Sequence, residues 1–285
     1  MFIRNEAHVT VHIPIESIPT LQRARGLLNI STQKAYQTNT RLKKLRQEGS
    51  YRASFPRHSK GNIETVIINT AGGVTSGDKF TTTITAHENS QISITTQAAE
   101  RIYRARDTLV GEIQTSLCLQ KNAQLYWLPQ ETIIFDGARL KRRLDVDLHS
   151  SAKFLMVEPL VFGREASGEK LLSGMLDDRV SISSNGQPIY IDRIKLKDNI
   201  TDQLMRPALA YNSHAVVSIV LVKPNAKLLL EPVRALLPQK AGASLLNDNI
   251  LVVRMLAQDS YEMRTATFPI LTLLTHNTVP KNWRL

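Results

Sequence analysis

The fold is decided by residues 65–85, which read TVIINTAGGVTSGDKFTTTIT. An apolar run comes before the three glycines and an alternating run follows them, so the glycines lie in a turn between two predicted strands. Gly72 and Gly77 have the spacing of a phosphate-binding loop, but Asp78 stands where that loop needs lysine. A carboxylate there would repel phosphate, and no helix follows to bind it. We therefore interpret the glycines as meeting backbone needs, such as positive φ or the close approach of another segment.

Short strands and turns extend outward from this stretch to about residue 200. Strict alternation occurs at residues 80–85, 92–95 and 144–148, which are rich in threonine, valine and isoleucine. The pair Asn185-Gly186 separates two further alternating segments and predicts a β-hairpin with a loop of two residues or more. Residues 1–60 are polar and basic with few long apolar runs, and we expect loop with short strand around residues 48–50 and 55–57.

The pattern changes after about residue 200. Residues 215–222 predict a buried strand, and residues 250–256 predict another. Residues 226–237 look amphipathic and helical, although Pro232 must start or kink that helix. Residues 260–275 predict a helix with Ser260 as its N-cap, again with a proline inside it. The residues alone therefore predict a mainly β protein with a few late helices.

The composition is that of a globular protein, with 285 residues, 42% hydrophobic and 21% charged. No apolar run reaches about 18 residues, and the first residues lack the apolar stretch of a signal peptide. The single cysteine, Cys118, excludes an internal disulfide framework. We expect a cytoplasmic protein without a membrane segment, and a buried packing role for Cys118 in an alternating strand.

The net charge is +11, and the excess is concentrated at residues 41–46, 101–106 and 139–143. Such clusters are compatible with a solvated surface, with an acidic protein partner or with nucleic acid. Aromatic residues are only 6% and no nucleic-acid-binding motif is present. All three interpretations remain open, with nucleic acid the least favoured.

Five blocks, in order along the chain, resemble the UreD family of urease accessory proteins, also called UreH. The match spans about residues 38–285, whereas residues 1–37 match nothing specific and form an N-terminal segment of unclear role. This chain departs from commoner members at residues 74–76 of the glycine turn. The blocks are NTAGGVTSGD (69–78), TTQAAERIYR (95–104), WLPQETIIFDGA (127–138), FGREASGE (162–169) and PKNWR (280–284).

The resemblance implies one domain over residues 38–285, with strands wound as a β-helix-like body and helices at its flank. It also implies a urease maturation factor rather than an enzyme. Such a protein binds apo-urease, bridges it to the accessory proteins UreF and UreG, and provides a path for nickel. No tightly bound cofactor is expected, only a transient nickel ion, and neither nucleic acid nor membrane is an expected partner.

Several carboxylates lie beside small or apolar residues, where an acid needs a cation. They are either structural ion pairs or oxygen ligands that touch a passing divalent ion weakly. The resemblance makes four of them candidate nickel-path residues, namely Asp78, Asp136, Glu165 and Glu169. It gives motif or structural roles to ten others, namely Gly72, Gly73, Gly77, Thr96, Gln97, Tyr103, Arg104, Glu131, Gly163 and Arg164.

Two other classes of function compete with this interpretation. A basic, β-rich nucleic-acid-binding protein would show salt-dependent binding to random DNA or RNA. A hydrolase or transferase would need Glu131 and Asp136 as an acid–base pair, brought together by a turn, but no nucleophile motif accompanies them. The seven histidines are scattered, so the sequence predicts no histidine-rich metal site.

Overall fold

A computed structural model describes residues 22–35, 39–56, 62–163 and 171–284. Within these residues the chain is mostly β-strand, wound into the stacked coils of a solenoid, with a few helices toward the carboxyl terminus. The predicted fold class is therefore confirmed. None of the described helices is long and apolar enough to cross a membrane.

Two sheets face each other in the described part of the chain. In spatial order the first sheet contains β14 (Gln187–Lys197), β13 (Met175–Ser184), β11 (Arg139–Leu148), β8 (Gly111–Leu119), β5 (Lys79–Ala86), β1 (Arg25–Lys34) and β2 (Thr40–Gly49). The second contains β16 (Ala241–Asn247), β17 (Ile250–Ala257), β15 (Ala215–Val222), β12 (Lys153–Phe162), β9 (Gln124–Trp127), β6 (Gln91–Thr96), β4 (Ile63–Asn69) and β3 (Tyr51–Ser54). Two three-residue strands extend the second sheet, β10 (Thr132–Ile134) beside β12 and β7 (Glu100–Ile102) beside β10.

Apart from the short β7 and β10, the strands from β4 to β13 alternate between the two sheets, and each is parallel to its predecessor in the same sheet. The glycine turn therefore joins strands of different sheets and is not a hairpin. At one end, the short-turn end, the coils are closed by four-residue turns at 87–90, 120–123 and 149–152. At the other, the long-turn end, the connections are 70–78, 97–110, 128–138 and 163–174.

The core follows from the alternation of inward-facing and outward-facing side chains along each strand. Inward-facing apolar residues of both sheets, such as Leu28, Ile84 and Phe154, form one buried cluster between the sheets. The outer face of the second sheet is covered by α3 (Ser260–Leu274), and these surfaces form a second cluster. The strand β15 is shared by both clusters, so all eight of its residues are buried, as predicted.

The predicted hairpin is confirmed, with a loop of two residues. Strands β13 and β14 pair in antiparallel register up to Ser184 and Gln187. Asn185 has a φ of 50° and Gly186 a φ of 76°. Positive φ at both central residues is the geometry of a type I′ turn, for which Asn-Gly is the favoured sequence.

Two helix predictions need correction. The helix α3 is capped by Asp259 rather than Ser260, since the Asp259 carboxylate accepts a 2.7 Å hydrogen bond from the Glu262 amide. Residues 226–237 do not form one helix, because they divide into a 3₁₀ turn at Ala226–Leu229 and the short α2 (Leu230–Arg234). Pro232 stands in the first turn of α2, where its missing N–H is tolerated. The remaining helices are α1 (Ile200–Leu204) and a 3₁₀ turn at Lys281–Trp283.

The loop with short strand expected around residues 48–50 and 55–57 agrees with the turn at Ser50 and the four-residue β3, although residue 57 lies outside the described residues. The two long strands before it, β1 and β2, were not predicted. Strand β1 lies inside the first sheet, between β2 and β5, although it precedes the boundary that the resemblance placed at residue 38. Leu28, Ile30 and Thr32 supply its buried face. Strand β2 is exposed at nine of its ten residues because it forms the edge of the sheet, which explains its basic sequence.

Candidate functional site

The glycine turn is built around a close contact with the next coil. A Cβ on Gly73 would lie 2.4 Å from Tyr103 Cε2 and 2.5 Å from the Arg101 carbonyl oxygen, so no larger residue fits. Gly72 and Gly77 have φ values of 76° and 78°. The interpretation of the glycines as backbone requirements is confirmed.

The Asp78 side chain closes this turn. It is buried, and its Oδ1 accepts a 2.7 Å hydrogen bond from the Ala24 amide while Oδ2 accepts a 2.8 Å bond from the Thr75 amide. Both oxygens therefore bind backbone donors and hold the turn against the segment before β1. This geometry is structural, and a contact of Asp78 with nickel stays a prediction.

Three of the five sequence blocks, 69–78, 95–104 and 127–138, lie side by side at the long-turn end. Tyr103 donates a 3.2 Å hydrogen bond from its hydroxyl to the Gly72 carbonyl, and its ring packs edge-on against Phe135 at 5.2 Å. Arg104 forms an ion pair with Asp136, one coil further along. Three of the four long connections, 70–78, 97–110 and 128–138, are therefore cross-linked by their own motif residues.

Asp136 is engaged on both oxygens. Its Oδ1 accepts a 2.8 Å bond from the Ser173 amide, and Oδ2 pairs with Arg104. Burial acts to raise the pKa of Asp136, but the hydrogen bonds from Ser173 and the charge of Arg104 outweigh it and lower that pKa. Glu131 is held by a different arginine, with Oε2 3.1 Å from Arg264 Nη1. Because each carboxylate has its own cation, the pair has the character of two structural ion pairs rather than of an acid–base couple.

The carboxyl-terminal block is tied onto the same end. The Asn282 amide group donates to the Thr96 and Gln97 carbonyls at 3.1 and 3.2 Å. The fully buried Trp283 donates a 2.9 Å bond from Nε1 to the Leu128 carbonyl. The Arg264 guanidinium lies 5.2 Å from the centre of the Trp283 ring. The last residues of the chain therefore clamp the connections that follow β6 and β9.

The remaining motif residues have backbone roles where they are described. Thr96 Oγ1 accepts a 2.9 Å bond from the Gln130 amide and so spans two coils. Gly163 has a φ of 80°, and its amide donates to the Ile134 carbonyl at 2.8 Å. Arg164, Glu165 and Glu169 lie outside the described residues.

A cavity of about 230 Å³ lies between the two sheets and opens at the long-turn end. Most of its exposed lining residues belong to the long connections, among them Gly72, Gln97 and Arg101, and one, Arg143, belongs to β11. Its buried lining is polar for a protein interior. The polar and aromatic side chains along it include Tyr51, Glu100, Trp127, Thr132, Arg142 and Glu158.

One buried cation of the cavity wall, Arg142, pairs with two buried carboxylates, of which Glu158 also lines the cavity. Arg142 donates from Nε and Nη2 to the two oxygens of Asp178, at 2.8 and 2.6 Å. Its Nη1 lies 2.8 Å from Glu158 Oε2, and Glu158 Oε1 accepts a 2.7 Å bond from Trp127 Nε1. Within the described structure, Oε2 of Glu158 accepts no well-directed hydrogen bond. Burial raises the pKa of Glu158, against the opposing charge of Arg142.

A third carboxylate, Glu100, lines the same cavity nearer its opening. Its Oε1 accepts a 3.0 Å hydrogen bond from Asn69 Nδ2, and no cation pairs with it among the described residues. Burial raises the pKa of Glu100 from 4.5 to about 7. Burial, followed by the charge of Glu100, also raises the pKa of the Tyr51 hydroxyl. The cavity therefore contains an acid that changes charge near neutral pH.

Replacing Glu100 by glutamine is expected to make the protein more stable at pH 8 and to leave its stability almost unchanged at pH 5. The folded state holds the Glu100 proton more tightly than the unfolded chain, so the wild type loses stability as pH rises from about 4.5 to about 7. Glutamine cannot ionise and escapes that loss. The measurement is the Tm of both proteins at the two pH values, with Glu112→Gln on an exposed position as the control. Equal Tm differences at pH 5 and pH 8 would contradict the assignment.

Sequence reasoning missed Glu100, Arg142 and Glu158. Arg142 lay in a basic cluster interpreted as surface, yet alternation along β11 turns it inward, where it is 9% exposed. The signal for Glu158 was present, since it is the one acid within the otherwise apolar residues 154–162.

Cys118 is only partly buried on the outer face of β8, which corrects its predicted burial. In the described ranges, no three His, Cys, Asp or Glu side chains are grouped as a metal site.

Comparisons with known proteins agree on one family. The family model described as UreD urease accessory protein matches residues 24–284. The Urease accessory protein UreD of Ruegeria pomeroyi is 41% identical over 254 residues, which cover 89% of this chain and 99% of that protein. The proteins of the same name from Roseobacter denitrificans and Mesorhizobium japonicum are 41% and 38% identical, over 92% and 94% of this chain and 96% and 97% of their own lengths.

Proposed function

We propose, because this chain belongs to the UreD family of urease accessory proteins, that it is a scaffold for urease maturation. In this proposal it binds apo-urease in the cytoplasm, bridges it to UreF-like and UreG-like accessory proteins, and gives nickel a path toward the urease active site. It catalyses no reaction and keeps no cofactor. The family match over nearly the whole described chain supports this function over nucleic-acid binding.

The observation that carries the nickel path is a pair of carboxylates in the lining of the cavity. Glu158 lies in the lining beside Arg142, and Glu100 lies nearer the opening with no cation partner among the described residues. A low-polarity interior strengthens the attraction of an ionised carboxylate for a divalent cation. Carboxylate oxygens hold nickel more weakly than a cysteine or histidine cage would, which suits a site that must release its cargo.

Within this proposal the path residues are Glu100 near the opening and Glu158 deeper inside. Glu158 fits the role because it lines the cavity, with its Oε2 paired only with Arg142, and Glu100 fits because it lines the cavity with no cation partner among the described residues. Asp78 and Asp136 fit less well, because neither of them lines the cavity and their oxygens bind backbone amides or Arg104. Contacts of nickel with Glu165 or Glu169 stay predictions.

The proposal is tested with Glu158→Gln, which keeps the shape of the side chain and the acceptor for Trp127 but removes one negative charge. We expect the variant to assemble normally with apo-urease and to deliver nickel about tenfold more slowly, equivalent to about 1.4 kcal/mol of activation free energy. The measurements are pull-down of apo-urease and nickel content of the urease over time.

Glu112→Gln provides the matched control, since Glu112 is an exposed acid on the outer face of the first sheet. It should match the wild type in both measurements. Normal nickel delivery by Glu158→Gln would overturn the path through this cavity. Failure of the wild-type protein to bind apo-urease would overturn the scaffold role.

A further inference from the structure

One of the four outermost strands of the two sheets lacks protection against pairing with a further strand. Charged residues, proline and short length are the usual devices that prevent such pairing. The outermost strands β2 and β14 carry several charges each, and β3 has only four residues. The fourth, β16 (Ala241–Asn247), has seven residues, none of them charged or proline. Within the described chain it pairs only with β17, so its other side is open.

The hydrogen bonds to β17 show which backbone groups of β16 face the open side. The Leu256 amide donates a 2.9 Å bond to the Lys240 carbonyl, which makes these two residues a hydrogen-bonded pair. In antiparallel strands such pairs alternate with pairs that exchange no hydrogen bond. In the register of β16 and β17 the second kind comprises Ala241, Ala243 and Leu245. The N–H and C=O groups of these three residues therefore point away from β17.

A side chain of α2 covers the middle of this edge. Arg234 donates from Nε and Nη2 to the Ala243 carbonyl, at 3.3 and 3.2 Å, and its Nη1 pairs with Glu231. Both bonds to the edge are long, and the Arg234 side chain is 48% exposed. Among the described residues, the outward groups of Ala241 and Leu245 and the Ala243 amide have no hydrogen-bond partner. An incoming strand would therefore displace only one weakly held group.

The surroundings of this edge are close to neutral. The chain segments before and after β16, residues 226–240 and 248–257, contain few charged side chains, and all of these except Lys240 form ion pairs. Lys240 instead lies over an aromatic ring, with Nζ 5.4 Å from the ring centre. The edge therefore selects neither an acidic nor a basic partner, whereas an equally neutral strand fits it. The ion pairs are Lys227 with Asp248, Glu231 with Arg234, and Arg254 with Asp192.

We propose that β16 pairs with β16 of a second copy of this chain, antiparallel about a two-fold axis at Ala243. The outward groups of each strand then meet those of the other, Ala243 against Ala243 and Ala241 against Leu245. Two hydrogen bonds for each of the three pairs give about six in total. Gly242 and Ser244, the residues between them, are small and exposed, so they do not obstruct the approach.

A second copy fits this edge because it presents the same uncharged strand of the same length. The two Lys240 side chains would stand at opposite ends of the ladder, about 20 Å apart, so they would not repel each other strongly. A contact between identical single edges closes on itself, so the expected assembly is a dimer and not a fibre. The inference goes beyond the proposed function and does not depend on it, because no residue of β16 lines the cavity.

The experiment is sedimentation velocity centrifugation of the full-length protein over about a hundredfold range of concentration, because a dimer dissociates on dilution. Ala243→Pro removes an outward N–H and no bond to β17, and Ser244→Lys places a charge beside the two-fold axis. Arg234→Ala/Glu231→Ala uncovers the edge. Thr81→Lys is the matched control for Ser244→Lys, since Thr81 is exposed on a strand that is paired on both sides. Each variant is first checked for an unchanged Tm.

We expect the wild type to form a dimer, Ala243→Pro to be monomeric throughout, and Ser244→Lys to weaken the dimer about fivefold or more. Arg234→Ala/Glu231→Ala should dimerise more tightly than the wild type, and Thr81→Lys should match it. The proposal is overturned by a dimer that survives Ala243→Pro and Ser244→Lys unchanged. It is also overturned if the wild type and Arg234→Ala/Glu231→Ala both stay monomeric.

Pull-down of apo-urease by the same variants distinguishes another occupant of the edge. If the wild type is monomeric and Ala243→Pro abolishes its pull-down of apo-urease, the occupant is a strand of that partner, which overturns pairing with a second copy. Loss of dimerisation with normal pull-down leaves the proposed function standing, so the two failures are separable.

Discussion

Replacing Arg142 by methionine is expected to lower the free energy of unfolding by about 3–5 kcal/mol, because breaking a buried ion pair leaves an uncompensated charge. Here two carboxylates would lose their cation at once. Asp178 receives two hydrogen bonds from the Arg142 guanidinium, and Glu158 lies 2.8 Å from it. Thr132 would also lose a 2.9 Å hydrogen bond.

The measurement is equilibrium unfolding in urea, which gives the free energy of unfolding for each variant. Arg143→Met is the matched control, since Arg143 is the next residue of β11 and is exposed on the opposite face. It should change stability by less than about 0.5 kcal/mol. The triple variant Arg142→Met/Asp178→Asn/Glu158→Gln should recover part of the loss because no buried charge is left unpaired. If Arg142→Met were as stable as Arg143→Met, the buried network would not exist as described.

Replacing Trp283 by alanine is expected to cost about 3–5 kcal/mol, the usual cost of emptying a buried tryptophan site. Trp283 is fully buried in the cluster under α3, donates to the Leu128 carbonyl and stacks against Arg264. Its loss would also release Asn282 from the Thr96 and Gln97 carbonyls. The effect should therefore reach the connections at the long-turn end as well as the core.

Two further variants separate volume from hydrogen bonding at this position. Trp283→Phe retains much of the ring and should cost less than the alanine variant, while Lys281→Ala removes an exposed neighbour and should be nearly neutral. Hydrogen exchange of residues 96–100 and 128–131, measured for each variant, reports whether the carboxyl-terminal block holds these connections in place. Unchanged protection of these amides in Trp283→Ala would show that the carboxyl-terminal block does not hold the long connections.

Much of the local structure follows from the sequence alone. The strands on either side of the glycine turn, the hairpin at Asn185-Gly186 and the buried strand at residues 215–222 were all predicted by period-two alternation and turn residues. The family was predicted from its five blocks. These signals are local or contiguous, because alternation and turn geometry depend on residues only a few positions apart.

The candidate site was predicted in part. The sequence blocks that contain Gly73, Tyr103 and Asp136 were identified from the sequence, and they meet at the opening of the cavity. The buried charges inside the cavity were not predicted, because Arg142 looked like one more residue of a solvated basic cluster. The N-cap of α3 shows the same limit on a smaller scale, since Asp259 and Ser260 are both good caps and only the backbone angles decide between them.

The sequence by itself determined the strands beside the glycine turn, the hairpin at Asn185-Gly186, the buried strand at residues 215–222 and the family, but not β1 or β2. The tertiary structure decided which sheet each strand joins, and so placed the glycine turn between two sheets. It also decided that Arg142 meets Asp178 and Glu158, which are 36 and 16 residues away along the chain. The physical reason is that a charged side chain can be buried only where distant strands supply its counter-charges. Pairing at that separation depends on how the coils stack, which no short sequence pattern records.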